Sequence, residues 1–232
     1  MVGHGWAQVG GRRWDVLKGR RDGLISKADR VAGNLPQANH TITQLISLFT
    51  SKGLTVKDLV ALSGGHTIGF SHCKEFMARL YSYNKTFDTN PTMAHDMAIH
   101  PRVPCPQAGF DPTIVAANDA TTPTIFDNAY YQNLKKGQGL LATDQGLYGD
   151  MRTRGYIEMM AKDQQIFFDA FAASMVKLGS IGVNSGKDGE VRLDCSALHV
   201  RKITANGWWT VYQCMVCHIT LGPDASDDKH LI

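Results

Sequence analysis

Apolar residues recur at helical spacing in the second quarter of the chain. Over residues 41–52 they fall three or four positions apart, which predicts an amphipathic helix that Gly53 ends in a left-handed conformation. Thr55-Val56-Lys57-Asp58 then has the pattern of a capping box and predicts a short helix ending at Gly64-Gly65. The apolar positions of the first helix are Ile42, Leu45, Ile46 and Phe49.

Further along the chain, the same spacing predicts three more helices. They cover residues 71–81, 127–134 and 156–178, and Gly179 closes the last and longest of them. The prolines concentrate in residues 84–123, which we expect to form a long ordered loop. Because strand signals are few and short, the pattern predicts an all-α fold with long loops.

Composition narrows the class of protein. The chain has 232 residues, of which 43% are hydrophobic and 19% charged, as expected of a globular protein. Its net charge of +3 is spread evenly, so we expect no nucleic-acid partner. No apolar stretch is long enough to span a membrane, and residues 1–23 lack the apolar core of a signal peptide. Their glycines and paired arginines are typical of a loop or short strand pair.

The cysteines favour an oxidising compartment. Wide spacing among Cys73, Cys105 and Cys195 suits disulfides better than a metal cluster, and the total of five leaves one cysteine without a partner. Two N-glycosylation sequons, Asn39-His40-Thr41 and Asn84-Lys85-Thr86, favour the same compartment.

One histidine stands in an unusual setting. In "LSGGHTIG", residues 62–69, His66 follows two glycines at the end of the predicted short helix. A histidine at a helix C-terminus is often stabilised simply by the helix dipole. A metal-ligand role is the alternative, because Gly64 and Gly65 would remove bulk beside the ring and let a large flat group approach.

The segment "DLVALSGGHTIGFSHC", residues 58–73, resembles the proximal haem-ligand signature of plant secretory (class III) haem peroxidases. The likeness continues in the family's order through most of the chain. It includes "GRRDG" at 19–23, "NLP" at 34–36, "KGLTVKDLV" at 52–60, "TPTIFDNAYYQNL" at 122–134, "ATDQGL" at 142–147 and "GEVRLDC" at 189–195.

The resemblance implies a haem peroxidase fold with haem b and calcium as cofactors. It implies a monomer that reduces hydrogen peroxide while oxidising small phenolic donors by one electron, in the response to oxidative stress. It also implies secretion to the cell wall or delivery to the vacuole.

By the same resemblance, His66 is the axial ligand of the haem iron and Asp144 is its carboxylate partner. A carboxylate that accepts the second ring N–H makes a ligating imidazole a stronger electron donor. Without the family context, Asp144 could equally be a helix cap or turn residue.

The resemblance further implies a proximal calcium site. Its ligands would be Thr67, Asp119, Thr122, the carbonyl of Ile125, and Asp127, a set of oxygens of the kind that calcium prefers. A turn whose Asp and Thr side chains cap the next helix is the alternative. Pro36 would lie at the channel where donors are oxidised, and Cys73 would pair with Cys105.

The family's distal histidine and arginine have no counterpart in this sequence. We therefore expect residues 1–198 to be the proximal, N-terminally incomplete part of a peroxidase domain and residues 199–232 to be a tail outside it. A catalytically impaired, calcium-stabilised haem- or wall-binding protein is the alternative function. Cys214-Met215-Val216-Cys217-His218 also fits the c-type haem attachment sequence, or a half zinc site, but lies in the tail.

Overall fold

Helices make up most of the regular structure. The computed structural model describes residues 8–102, 104–109 and 111–192, and within these ranges it has eight α-helices and one two-stranded sheet. The helices are α1 (Ile42–Ser51), α2 (Val56–Ser63), α3 (Met77–Leu80), α4 (His95–Arg102), α5 (Ala129–Lys135), α6 (Ala142–Gly149), α7 (Met151–Lys162) and α8 (Gln164–Leu178); the strands are β1 (Phe70–His72) and β2 (Val115–Ala117). The predicted, mainly helical fold class is confirmed.

The two predicted N-terminal helices form as their sequences indicate. Thr41 caps α1 by accepting a hydrogen bond from the Gln44 N–H, and the Gln44 side chain accepts one from the Thr41 N–H. The Thr55–Asp58 capping box at the start of α2 is confirmed in the same geometry. Gly53 has a φ of 77°, so the left-handed turn between the two helices requires glycine.

The prediction of a helix over residues 71–81 was wrong for its first half. Residues 70–72 form β1, which pairs antiparallel with β2, and Phe70 lies opposite Ala117. A 3₁₀ turn, Cys73–Glu75, follows before the short α3 begins. Phe76 and Leu80 are buried, and Tyr83 is exposed.

The expected loop over residues 84–123 also contains regular structure. Helix α4 holds Pro101 in its last turn, and β2 pairs with β1 near the end of the segment. A proline in the last turn interrupts little of the helix, which is why the proline-rich composition concealed it.

The single long helix predicted over residues 156–178 is two helices. Asp163 separates α7 from α8 with an extended backbone, and its side chain accepts hydrogen bonds from the N–H groups of Gln165 and Ile166. The apolar period continues across this break, so periodicity alone hides it. Gly179 closes α8 as predicted.

The larger hydrophobic core lies between α2, α5, α7 and α8. Aromatic rings dominate it: Phe167 packs edge-on against Tyr131 and lies nearly parallel to Phe126, with centroids 5.0 and 5.1 Å away. Its buried members include Leu59, Val60, Phe126, Tyr130, Tyr131, Leu147, Ile157, Met160, Phe167 and Phe171. This core packs directly beneath the end of α2.

The smaller core surrounds a disulfide. Cys73 and Cys105 are bonded to each other across a sequence separation of 32 residues, as the family resemblance implied. Apolar side chains in α3 and α4 and in the segments just before α3, α4 and α6 pack around them; the set includes Phe76, Leu80, Met93, Met97, Leu140 and Leu141. Helix α6 connects the two cores, because Leu141 precedes it in the smaller core and Leu147 belongs to the larger one.

The N-terminal segment packs onto the C-terminal end of the described chain. Arg21 and Asp22 form isolated antiparallel bridges with Asn184 and Glu190, while the rest of the described segment up to residue 23 contains no strand, so of the two alternatives the loop is the one found. Cys195 and the Cys214-to-His218 motif, and with them the expected tail, lie outside the described residues. Among the described helices, none combines the length and apolar character needed to cross a bilayer.

Candidate functional site

His66 lies on a tight turn that continues from α2. The helix ends at Ser63, and a 3₁₀ turn, Gly64–Thr67, carries the imidazole. Gly64 is buried, and a β-carbon at this position would lie 2.2 Å from the Tyr131 hydroxyl and 2.5 Å from a ring carbon of Phe167. A side chain at position 64 would therefore point into the core and not toward a ligand. Our interpretation of this glycine as an opening beside the imidazole was wrong.

The imidazole of His66 is bound to a buried carboxylate. Its Nδ1 lies 2.9 Å from Oδ1 of Asp144, the third residue of α6. The Asp144 side chain is 3% exposed, whereas the His66 side chain is 41% exposed. The Asp144 charge raises the pKa of His66, while burial acts in the opposite direction. In the neutral ring, the tautomer whose Nδ1–H donates to the carboxylate carries its lone pair on Nε2.

Tyr130 shares the same carboxylate oxygen. Its hydroxyl, fully within the core, donates to Oδ1 of Asp144 at 2.9 Å. The rings of Tyr130 and His66 are nearly perpendicular, with centroids 6.2 Å apart. Oδ2 of Asp144 is buried and has no hydrogen-bond partner within the described residues. The carboxylate is thus bound through one oxygen, which accepts from both Tyr130 and His66.

The residue after His66 belongs to a second cluster, made of oxygen atoms. The Thr67 hydroxyl is fully buried and lies 3.3 Å from Oδ1 of Asp127 and 3.5 Å from both Oδ2 of Asp119 and the carbonyl oxygen of Ile125. The Thr122 hydroxyl lies 3.1 Å from the same Asp127 oxygen. All five predicted calcium ligands are therefore brought together around Thr67.

Two carboxylates lie close together in this oxygen cluster. Burial, with the nearby Asp127 charge, raises the pKa of Asp119 even though backbone N–H groups of Thr121 and Thr122 donate to it. Within the described ranges, no three histidine, cysteine or acidic side chains converge on a point that could hold a metal. Calcium, however, is commonly bound by a mixture of carboxylate, hydroxyl and carbonyl oxygens, which is the mixture found here.

The sequence model of the peroxidase family matches residues 4–163. The chain belongs to the peroxidase family. Three relatives in Arabidopsis thaliana illustrate the likeness. Peroxidase 51 is 43% identical over 191 residues, covering 82% of this chain and 58% of the relative. Peroxidase 19 is 49% identical over 188 residues, covering 81% and 54%. Peroxidase 31 is 47% identical over 191 residues, covering 82% and 58%.

This peroxidase-family chain spans little more than half the length of those relatives. The family assignment confirms the resemblance seen in the sequence. The roles of individual residues stay predictions, which the geometry of the site can support.

The donor atoms around His66 fit a haem better than a free metal ion. A single imidazole nitrogen is available once Nδ1 is paired with Asp144, and among the described residues no group of three or more histidine, cysteine or acidic side chains forms a metal site. One protein ligand suffices only where a macrocycle already supplies the others, as in haem proteins with a proximal histidine. The carboxylate on the far ring nitrogen is also the partner that such ligands usually have.

Sequence reasoning missed Arg79, which holds the segment leading into α6. Its side chain is buried, and Nη1 donates to the carbonyl oxygens of Gly139, Leu140 and Leu141 at 2.5, 2.6 and 3.0 Å. Burial lowers the pKa of Arg79 to about 10, although the Asp144 charge opposes that shift. Nothing in the local pattern distinguishes this arginine from an exposed one, because its acceptors lie about 60 residues away.

Pro36 lies on an exposed segment between a 3₁₀ turn, Ala28–Arg30, and α1. Its role in donor access stays a prediction.

Proposed function

We propose that this chain supplies the proximal, haem-binding part of a peroxidase that reduces hydrogen peroxide and oxidises small phenolic donors, acting in the response to oxidative stress. The 2.9 Å contact between His66 and the buried Asp144 is the observation that carries the proposal. A haem b bound at His66 would supply the iron redox chemistry of peroxide reduction.

The residues of the chain would prepare a nitrogen ligand for that iron. Because Nδ1–H is committed to Asp144, His66 can bind a metal only through Nε2. The negative charge of Asp144 increases electron donation from the ring. Tyr130 donates to the same carboxylate oxygen and so withdraws part of that charge from His66. Asp144 and Tyr130 together would therefore set both the orientation and the basicity of the His66 imidazole.

The oxygen cluster would bind calcium directly beside this ligand. A calcium ion held by Thr67, Asp119, Thr122, the Ile125 carbonyl and Asp127 would neutralise the two carboxylates that now lie together. Since Thr67 follows His66 in the same turn, the ion would restrain the imidazole through one peptide bond. Calcium removal is then expected to loosen the haem ligand as well as the loop.

The domain limits and location form part of the proposal. We assign residues 1–198 to the peroxidase domain and residues 199–232 to a tail, and we place the protein outside the cell or in the vacuole, as a monomer. The disulfide between Cys73 and Cys105 supports an oxidising destination, since such bonds are rare in reducing compartments. Pro36 is assigned to donor access on the family resemblance.

A haem titration tests the central assignment. The purified full chain is titrated with haem, and the Soret band is recorded for the wild type, His66→Ala and His72→Ala. His72 is an exposed histidine of β1 and serves as a matched control. We expect His66→Ala to lose the histidine-ligated spectrum and His72→Ala to keep it. An unchanged spectrum in His66→Ala would refute ligation by this residue.

The same preparation separates the proposed function from its alternative. Hydrogen peroxide turnover with guaiacol as donor indicates an active peroxidase. A histidine-ligated spectrum without turnover indicates instead the catalytically impaired haem- or wall-binding protein. Asp144→Asn should keep iron ligation but weaken haem affinity, by about 10- to 100-fold if the partner acts as such residues usually do.

A further inference from the structure

One sequon occupies the tip of an exposed turn that the proposed chemistry does not use. The backbone N–H of Asn84 donates to the carbonyl of Phe87 at 3.0 Å, and the Tyr83 N–H donates to the carbonyl of Asp88 at 3.0 Å. These two bonds close a hairpin-like turn with Lys85 and Thr86 at its tip. Every residue from 82 to 88 is exposed, so a large group attached at the tip can extend into solvent.

The side chain of Asn84 is held in a defined orientation. Its Oδ1 accepts hydrogen bonds from the backbone N–H groups of Thr86 and Phe87, at 2.8 and 2.9 Å. This Asx turn uses only the carbonyl oxygen. Within the described residues, neither the Nδ2 of Asn84 nor the hydroxyl of Thr86 has a hydrogen-bond partner. The two groups that define an acceptor sequon are therefore both available.

The bonds that hold this turn are local in sequence. They join residues no more than five positions apart, and hairpin-sized units form within microseconds. The turn can therefore form in a nascent chain before the rest of the fold. The acceptor geometry does not depend on completion of either core.

The base of the turn is anchored firmly. The guanidinium of Arg102 donates to the Asp88 carboxylate at 3.0 Å and to the Thr89 hydroxyl at 2.7 Å. The Ser82 N–H donates to the other oxygen of the Asp88 carboxylate at 3.0 Å. A modification at the tip consequently leaves the anchoring contacts unchanged.

The second sequon, Asn39-His40-Thr41, differs from the first in its threonine hydroxyl and in its asparagine side chain. The hydroxyl of Thr41 lies 3.0 Å from the Gln44 side-chain oxygen and accepts from the Gln44 N–H at 3.3 Å, as the cap of α1. The side chain of Asn39 has no hydrogen bond to any described residue, so nothing orients its amide. Asn39 is exposed, but its sequon threonine is already engaged in holding a helix.

We propose that Asn84 is an N-glycosylation site of this protein and is occupied in preference to Asn39. In the reaction, Nδ2 of Asn84 forms a bond to C1 of the first sugar of a lipid-diphosphate-linked oligosaccharide. The bond from C1 to the phosphate oxygen breaks, the lipid diphosphate leaves, and the amide loses one proton to the transferase. The inference rests on the proposed function only for the compartment, since such transfer occurs in the secretory pathway.

The attached sugar would also cover apolar surface. Tyr83 and Phe87 flank the acceptor and are 42% and 46% exposed. A glycan on Asn84 stands beside both rings and shields them from contacts with other proteins.

Glycopeptide mapping tests the proposal. The full chain is secreted from a eukaryotic host behind a supplied secretion leader and digested, and the occupancy of each asparagine is read from the Asn-to-Asp conversion left by enzymatic deglycosylation. We expect occupancy at Asn84 to exceed that at Asn39. Equal or lower occupancy at Asn84, or a secreted chain without glycan at Asn84, would overturn the proposal.

Variants of Thr86 separate the sequon from the turn. Thr86→Ala removes the hydroxyl but keeps the backbone N–H that holds Asn84, so it should abolish the glycan and leave the fold intact. Thr86→Ser keeps a hydroxyl and should retain the glycan. Asn39→Gln should leave the glycoform of the secreted protein largely unchanged; loss of most glycan in that variant would contradict the preference for Asn84. Because the leader supplies the compartment and no haem is involved, these outcomes are independent of the peroxidase assignment.

Discussion

Replacement of Gly64 by alanine should be among the most damaging single-methyl additions in this chain. Gly64 closes α2 with a φ of −61°, a conformation that alanine adopts without strain. The added carbon, however, would lie 2.2 Å from the Tyr131 hydroxyl and 2.5 Å from Phe167. Both rings belong to the larger core and are fully buried. The steric effect therefore dominates over the backbone preference.

The magnitude follows from three contributions. Overpacking of a dense core costs about 1–3 kcal/mol. Displacing Tyr131 also weakens its 3.0 Å hydrogen bond to the buried Val60 carbonyl, which adds about 1–3 kcal/mol if the carbonyl is left unpaired. Alanine returns about 0.5–1 kcal/mol through lower entropy of the unfolded chain. We expect the free energy of unfolding to fall by about 2–4 kcal/mol, a large share of a typical domain's stability.

Urea unfolding followed by far-ultraviolet circular dichroism measures this change. Gly155→Ala is the matched control, because Gly155 lies within α7 and no atom lies within 4 Å of its added carbon. That substitution should stabilise the protein by about 0.5–1 kcal/mol. Adding Tyr131→Phe to Gly64→Ala should recover part of the loss by removing the nearest atom. If Gly64→Ala proved as harmless as Gly155→Ala, the close packing beneath His66 would be disproved.

Three further predictions concern charges and oxygen ligands. Although burial raises it, hydrogen bonds from Lys177, Thr55 and Ser174 hold the pKa of Asp58 well below its ordinary value. The ionised carboxylate therefore stabilises the fold above about pH 4, and this stabilisation is lost as the pH falls further. In urea unfolding, Asp58→Asn should show a smaller decrease of the midpoint between about pH 5 and 2 than the wild type. An equally steep decrease would show that Asp58 is not the origin of the acid sensitivity. Arg79→Met should reduce the free energy of unfolding by about 3 kcal/mol or more, since it leaves buried carbonyls unpaired, and a loss under about 0.5 kcal/mol in denaturant titration would contradict that role. If the proposed calcium site exists, Thr67→Val should weaken calcium binding by on the order of tenfold in calorimetry, because the site would lose one oxygen ligand. Thr124→Val, in the loop between Asp119 and Asp127 but outside the oxygen cluster, should not weaken it, and equal affinities of the two variants would argue against a site at Thr67.

The features that the sequence predicted well are those encoded within a few residues. The capping box at Thr55 and the turn at Gly53 depend on contacts between neighbours, and they form as expected. The break at Asp163 is also local: an aspartate before an apolar run is an N-cap signal. It was missed because the apolar period on either side keeps the same phase.

The features that the sequence did not predict depend on distant partners. Strand β1 exists because β2, 45 residues later, supplies its hydrogen bonds, and no local period reveals that pairing. The acceptors of Arg79 are backbone carbonyls, which any sequence would provide. For the site, resemblance to a family identified His66 and Asp144, while the second donor to the carboxylate, Tyr130, became visible only in three dimensions.

Helix α6 takes its support from both cores, and the pair formed by His66 and Asp144 inherits that dependence. The end of α6 rests on the aromatic core, but its beginning rests on side chains that the Cys73–Cys105 bridge holds together. Reduction of that disulfide would therefore loosen the packing under the first turn of α6, and the position of Asp144 in that turn would change without any direct effect on the imidazole. The orientation of His66 toward Asp144 therefore depends on whether the disulfide forms during folding.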